Sequence, residues 1–212
     1  MLEIIAMLTM LIDHIGKVFF PDMVILQVIG RLAFIIYAYL IALGFSRTGS
    51  SIKYLVRIFI VAVISQLFYG ILFSWFRLNV CFTLALGILF LKIFSNKKIK
   101  NSQKIILCIL ILLLSLCLGC EYGAYGILTM FIFYLLREQK KYLIIIVQSF
   151  LTIISVFIFS FAKIQLFALC TFPLISVIPP KIEKFKCPKH INYLFYPIHL
   201  IIIAMVNTLF HL

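Results

Sequence analysis

Long runs of apolar residues, separated by short polar stretches, follow one another along the chain. A helix needs roughly 20 residues to cross the hydrocarbon core of a bilayer, which is about 30 Å thick. Runs that approach this length occupy residues 3–20, 23–45, 53–75, 79–94, 104–118, 122–136, 142–162, 164–178 and 191–212. The pattern predicts an all-α fold, a polytopic transmembrane helical bundle of about nine spans. No long linker divides the chain, so residues 1–212 are expected to form a single domain.

The connections between the predicted spans alternate in charge. The basic residues of the even-numbered connections are Arg47 and Lys53 in the second, Lys97, Lys98, Lys100 and Lys104 in the fourth, Arg137, Lys140 and Lys141 in the sixth, and Lys181, Lys184, Lys186 and Lys189 in the eighth. The odd-numbered connections hold almost none. Basic loops face the cytoplasm in most membrane proteins. We therefore expect a multi-pass protein of the cell membrane with a cytoplasmic N-terminus.

The composition excludes an ordinary soluble domain. Of the 212 residues, 65% are hydrophobic and 12% are charged, whereas soluble domains are about half apolar and about a quarter charged. A formal net charge of +13 would indicate nucleic-acid binding in a soluble protein. Here the basic residues concentrate in the connections, where they act as topology signals. No nucleic-acid partner is expected, and membrane lipid is.

The cysteines predict no metal site. Cys117 and Cys120 have the spacing of metal ligands, and Cys187 with His190 repeats that spacing. The predicted topology puts these two pairs on opposite faces of the membrane, so they are not expected to share a metal ion.

Three ionisable residues stand out in the middle of the first two predicted spans: Asp13, His14 and Arg31. Ionisable side chains in mid-membrane are costly and usually face the interior of a bundle. The tight connection between these spans lets Asp13 pair with Arg31 and lets His14 point into a cavity. Because a histidine beside a buried ion pair suits proton transfer, we expect all three in a catalytic site. The alternative is a structural ion pair beside a hydrogen-bonded buried histidine.

The last predicted span carries a second polar group. Tyr196 and His199 are three residues apart and therefore share one helix face. This helix enters from the predicted cytoplasmic side, so His199 can approach the level of His14 from below. The alternative is a tyrosine belt at the membrane interface.

A basic patch lies on the predicted cytoplasmic side. Arg47, Lys53, Tyr54 and Arg57 surround the second connection. Guanidinium groups bind phosphates in a bidentate manner, so the patch suits the phosphates of a cytosolic cofactor. Anionic lipid headgroups would satisfy the same groups.

Polar residues also mark the predicted outer ends of several spans. Gln66, Asn79, Glu121 and Tyr125 are the candidates for orienting an acceptor substrate. The alternative is that they are ordinary residues at helix ends.

Short motifs that recur in order along nearly the whole chain carry a resemblance to a known family. They are MLIDHIG at 10–16, IGRLA at 29–33, Gly44-Phe45, Tyr54 with Arg57, Ser65-Gln66, Asn79 with Thr83 and Gly87, EYGAYG at 121–126, and YPIHL at 196–200. In this series the chain resembles the TraX family, membrane proteins known from acetylation of F-type conjugative pilin. The segment before Tyr122 is often more acidic in that family, whereas here Cys120 precedes a single acid, Glu121.

The resemblance implies transfer of an acetyl group from acetyl-CoA to an amine, such as a peptide N-terminus or an amino sugar. The family is also similar to multispanning acyltransferases that use cytosolic acyl-CoA and an intramembrane histidine, which corresponds here to His14. On this reading the basic patch, together with Tyr196 and His199, binds acetyl-CoA. Transfer to an amine is expected in preference to a hydroxyl, and a peptide acceptor and a homo-oligomer are both compatible with the resemblance.

Two other functions fit the same residues. A proton-coupled transporter would use Asp13, His14 and Arg31 as a relay, and it would usually show an internal repeat, which the sequence lacks. A non-catalytic membrane assembly factor would use the ion pair only to join helices.

Overall fold

The computed structural model describes residues 1–158, 163–173 and 188–210. Over these ranges the chain is helical, and no strand forms. The α-helices are α1 (Leu2–Phe19), α2 (Val24–Arg47), α3 (Ser51–Leu72), α4 (Val80–Ser95), α5 (Asn101–Cys117), α6 (Gly123–Leu135), α7 (Lys141–Ile158) and α8 (Lys189–Phe210), and a 3₁₀ helix spans Lys163–Cys170. The predicted all-α class is confirmed.

Three helical segments are long and apolar enough to cross a membrane: Val24–Arg47, Ser51–Leu72 and Ile191–Leu209. The helices α4 to α7 are apolar but shorter, and α1 contains three charged residues, Glu3, Asp13 and Lys17. The nine-span count and the cytoplasmic N-terminus therefore remain predictions.

The span predicted at 164–178 differs most from the structure. Lys163–Cys170 forms a 3₁₀ helix rather than the first part of an α-helix, and residues 174–178 lie outside the described ranges. Residues 171–173, directly after this element, are α-helical again, and Pro173 is tolerated there because the N–H groups of a first helical turn have no partner within the helix. At eight residues this 3₁₀ helix is longer than most, since runs of more than about four residues are uncommon.

Side-chain caps fix the starts of two helices. The Ser50 hydroxyl accepts a hydrogen bond from the Lys53 backbone N–H at 3.3 Å and begins α3. The Asn79 side chain accepts one from the Cys81 N–H at 3.0 Å and begins α4. Serine and asparagine satisfy the free N–H groups of a first helical turn in this way, so the register of both helices is set by local sequence.

The helix α2 lies at the centre of the bundle, where it contacts α1, α4, α6 and the 3₁₀ helix. Its residues Ile35, Ile36 and Ala38 are fully buried. The connection from α1 to α2 is short, and Gly30 faces the Asp13 side chain so closely that a Cβ at position 30 would overlap it. α8 packs on α1 and α3 and brings the last helix to the first.

Candidate active site

An ion-pair cluster joins α1 to α2 and to the connection before α6. Arg31 Nη2 donates to Asp13 Oδ1 at 2.9 Å, which confirms the predicted pair. The second carboxylate oxygen of Asp13 pairs with Lys17 Nζ at 2.5 Å, one helical turn away. Lys17 also lies 3.9 Å from Glu121 Oε1. Lys17 was not among the predicted site residues, although its i,i+4 spacing from Asp13 is a local signal of this pairing.

Tyr122 holds the other side of the Arg31 guanidinium. Its hydroxyl accepts a hydrogen bond from Arg31 Nη1 at 3.3 Å, and its ring stacks on Phe34 with centroids 3.8 Å apart and an interplanar angle of 7°. The backbone of Tyr122 is in the left-handed region, with φ 63°. A non-glycine residue in this conformation is strained, and such strain is concentrated at functional sites. Its hydrogen bond with Arg31 was not predicted from the sequence.

His14 and His199 form a direct pair between α1 and α8. His14 Nδ1 lies 2.7 Å from His199 Nε2, and both residues are 4% exposed. His199 Nδ1 lies 2.7 Å from the carbonyl oxygen of Phe195. The predicted approach of His199 to His14 is confirmed.

One cavity of about 420 Å³ connects the ion-pair cluster with the far end of α2. His14, Asp13 and Gly30 line it at one end, and Arg47 and Arg57 line it at the other. At 1.5 Å per residue, the distance along α2 from Gly30 to Arg47 is about 25 Å. Ligand pockets commonly have volumes of about 300 to 1,000 Å³, so the cavity has the size and depth for a long, thin molecule.

The end of the cavity lined by Arg47 and Arg57, called here the basic end, collects residues from four helices. The Arg57 guanidinium carbon lies 6.0 Å from the Tyr54 ring centroid and 5.7 Å from that of Tyr193, so two aromatic rings flank its charge. The carboxylate-bearing Glu3 also lines the cavity, so its charge reduces the net positive charge of the lining.

The comparisons with known proteins agree with the sequence motifs. The sequence profile described as TraX protein matches residues 1–207. The chain belongs to the TraX family. A probable fimbrial assembly protein FimC (serogroup H1) of Dichelobacter nodosus is 25% identical over 96% of this chain and 93% of its own length. No solved structure matches the chain.

A second relative matches over a shorter region. The uncharacterized protein RP591 of Rickettsia prowazekii (strain Madrid E) is 31% identical over 97 residues. The matched region is 45% of this chain and 37% of the Rickettsia protein, so this TraX family chain aligns with little more than a third of the length of that relative.

The predicted cofactor residues of this TraX family protein fall into two groups. Arg47, Tyr54 and Arg57 line the basic end, and Tyr196 lines the same cavity. Lys53 is exposed on the first turn of α3, outside the lining. His199 is bonded to His14 instead of lying at the basic end.

Two of the predicted acceptor-binding residues, Gln66 and Asn79, use their polar atoms inside the protein. Gln66 Oε1 accepts hydrogen bonds from the backbone N–H and the side-chain amide of Asn79, both at 3.0 Å. Gln66 Nε2 donates to the Arg77 carbonyl at 2.8 Å, and Asn79 Nδ2 donates to the Ala62 carbonyl at 2.8 Å. These amides join α3 to α4, and neither lines the cavity.

Of the other two predicted acceptor-binding residues, Glu121 lines the cavity and Tyr125 does not. Glu121 lines the cavity with its carboxylate 3.9 Å from Lys17 Nζ, and its backbone carbonyl accepts a hydrogen bond from Thr83. Tyr125 is fully buried outside the cavity lining, and its hydroxyl lies 3.1 Å from Thr152 Oγ1.

The described cysteines do not form a metal centre. Within residues 1–158, 163–173 and 188–210, no group of three or more histidine, cysteine or acidic side chains is placed to hold a metal ion. Cys187 lies outside these ranges. Burial raises the pKa of the Cys120 thiol to about 11, so it stays protonated at neutral pH and is a poor nucleophile and ligand.

Proposed function

We propose that this TraX family protein is a membrane-embedded acetyltransferase that moves an acetyl group from cytosolic acetyl-CoA to an amine. The observation that carries the proposal is that Arg47, Arg57 and His14 line one and the same cavity. A donor with phosphates at one end and a thioester at the other needs positive charge and a catalytic base separated along one narrow space.

The cavity lining fits acetyl-CoA along its length. Arg47 and Arg57 would bind its phosphates at the basic end. The middle of the lining is largely apolar and includes Ile41, Ile58 and Leu84, which suits the pantetheine chain. Among the described side chains, the lining residue Asn192 has a buried amide oxygen with no hydrogen-bond partner. This oxygen would accept a hydrogen bond from an N–H group of the bound molecule.

His14 would act as the general base on the acceptor. The acceptor nitrogen bonds to the acetyl carbon, and the bond from that carbon to the CoA sulfur breaks. The proton that the nitrogen loses passes to His14 and then to the departing thiolate, so charge and atoms balance. General base catalysis of this kind contributes about 10²- to 10⁴-fold in rate.

The name of one relative supports a peptide amine as the acceptor. The Dichelobacter nodosus relative is named for fimbrial assembly and aligns with almost the whole chain. A fimbrial subunit is a protein and therefore has an N-terminal amine to which an acetyl group can be attached. The same name also suits a non-catalytic assembly factor, which would leave the basic end without a ligand of this kind.

The test measures acetyl transfer in membranes. Strains with and without the intact gene are compared by mass spectrometry for a peptide or glycan that gains the mass of one acetyl group. Purified protein is then assayed with labelled acetyl-CoA and with the unmodified form of that peptide or glycan. We expect His14→Ala to retain the stabilisation of the protein by CoA and to lose at least about 100-fold in transfer per folded molecule.

Two results would reject the proposal. Wild-type turnover in the His14→Ala protein would remove His14 from the reaction. A wild-type protein whose melting curve does not respond to saturating CoA would favour the assembly factor or a transporter.

A further inference from the structure

We propose that His199 is the positioning residue for His14: it accepts a hydrogen bond from His14 Nδ1 and so leaves His14 Nε2 as the basic nitrogen. The inference rests on the proposed function where it calls Nε2 the catalytic base. The hydrogen-bond pattern itself does not depend on the reaction.

The geometry of the two rings is that of an in-plane hydrogen bond. Their planes differ by 8°, their centroids are 5.0 Å apart, and the two nitrogens are 2.7 Å apart. The distance between the centroids exceeds the distance between the two nitrogens by about the width of one ring, as expected when both nitrogens lie on the line that joins the centroids. The rings therefore meet edge to edge rather than face to face, and the N–H of one points at the lone pair of the other.

The backbone carbonyl of Phe195 decides which ring donates. A carbonyl oxygen only accepts hydrogen bonds, so His199 Nδ1, 2.7 Å away, must carry a proton. A neutral imidazole has one N–H and one lone pair, so His199 Nε2 is then an acceptor. His14 Nδ1 must be the donor, and the lone pair of neutral His14 lies on Nε2. Burial favours the neutral form of both rings.

Aromatic rings enclose the pair. Phe195 lies almost parallel to His199 at 5.0 Å, and Phe73 lies 5.2 Å from His14. Tyr196 presents an edge to both histidines, at 6.2 and 5.4 Å. Because both histidines are 4% exposed, little water reaches them, and water cannot easily replace His199 as the acceptor.

Asp13 does not take this role, although it precedes His14 in the sequence. Both of its carboxylate oxygens are paired, one with Arg31 and the other with Lys17. In serine proteases a carboxylate holds the catalytic histidine in the correct tautomer. Here a neutral imidazole from another helix performs the equivalent task, so the pairing adds no negative charge to the site.

The kinetic test compares two replacements of His199. His199→Gln places an amide oxygen near the position of Nε2 and keeps an acceptor, whereas His199→Phe keeps a flat ring and removes it. We expect His199→Phe to lower kcat about 100-fold or more with little change in KM for acetyl-CoA, and His199→Gln to stay within about tenfold of wild type. The exposed change Thr208→Ala on α8 is the matched control. Equal loss in the glutamine and phenylalanine variants, per folded molecule, would overturn the inference.

The spectroscopic test needs no activity. Protein labelled with ¹⁵N in the histidine rings is studied by NMR in detergent, and the His14 signals are assigned from their loss in His14→Gln. We expect a protonated Nδ1 and an unprotonated Nε2 on His14 in the wild type and in His199→Gln, and a mixture of tautomers in His199→Phe. A proton on His14 Nε2 in the wild type would overturn the inference. The expected pattern in a protein that transfers no acetyl group would support the pairing and reject the proposed function.

Discussion

Asp13 and Arg31 lie on different helices, and Arg31 Nη2 donates a 2.9 Å hydrogen bond to Asp13 Oδ1. The Arg31 guanidinium is also bound by the Tyr122 hydroxyl, and the Asp13 carboxylate is also bound by Lys17. Asp13 therefore pairs with two basic side chains, Lys17 on α1 and Arg31 on α2. Removing it leaves more uncompensated charge than removing either base.

Asp13→Asn is expected to destabilise the protein more than Arg31→Gln. Breaking a buried ion pair by removal of one partner costs about 3 to 5 kcal/mol, because the other charge stays buried and unpaired. After Asp13→Asn, both Arg31 and Lys17 lose their carboxylate; after Arg31→Gln, Asp13 keeps Lys17. The measurement is the melting temperature of each variant in the same detergent.

The double variant Asp13→Asn/Arg31→Gln is the control for stranded charge. It should be more stable than Asp13→Asn alone, because only Lys17 then lacks the Asp13 carboxylate and Glu121 remains nearby. A double variant that melts at the sum of the two single losses would show that the residues do not interact.

Gly30→Ala is expected to lower stability, although alanine is the better helix former by about 1 kcal/mol. A Cβ at position 30 would overlap the Asp13 side chain, which its two ion pairs hold in place. Overpacking of this kind typically costs about 1 to 3 kcal/mol. Gly49→Ala is the control, since a Cβ there meets nothing within 4 Å. Equal melting temperatures for the two variants would show that α1 and α2 can separate at no cost.

CoA is expected to stabilise the detergent-solubilised protein through the basic end. Binding to the folded state alone adds about 2.7 kcal/mol at a hundredfold excess over the dissociation constant. Arg57→Gln should reduce this gain, whereas Lys98→Gln should not, because Lys98 is exposed and lies outside the cavity lining. The measurement is the shift in melting temperature with CoA. A similar shift in both variants would place the phosphates elsewhere.

Gln66→Ala is expected to lower stability and to leave the kinetics per folded molecule unchanged. The substitution removes the Gln66 Oε1 acceptor from the backbone N–H and the side-chain amide of Asn79, which is fully buried. An unsatisfied buried polar group costs about 1 to 3 kcal/mol. A higher KM for the acceptor with an unchanged melting temperature would support the acceptor-binding role that the sequence predicted.

The Asp13–Arg31 pair and the meeting of His14 with His199 could be predicted from the sequence, because depth in a helix follows from residue count. Each residue advances about 1.5 Å along the axis, and the short connection after α1 makes α1 and α2 neighbours. Position along a helix and the order of helices then place these side chains at one level.

The role of Tyr122 could not be predicted in this way. Hydropathy assigns it to the start of a span, whereas its left-handed backbone and its stacking on Phe34 depend on the fold around it. The flanking glycines Gly119 and Gly123, both with positive φ, are the local signal of an unusual turn. Gln66 and Asn79 show a related limit, since a polar side chain at a helix end serves as a cap or as a ligand according to what lies beside it.

The basic connections are expected to face the cytoplasm. Arg47, Arg137 and Lys141 line one cavity of about 440 Å³, so the second and sixth connections lie at the same end of the bundle. Ser74 lies in the third connection, beyond the other end of α3 from Arg57. A fluorescent protein that folds only in the cytoplasm should be bright when inserted after Lys98 and dark when inserted after Ser74. Alkaline phosphatase at the same two sites should give the opposite pattern, and at the end of the chain it should be active if the number of spans is odd. Equal fluorescence at both insertion sites would mean that α4, the helix between them, does not cross the membrane.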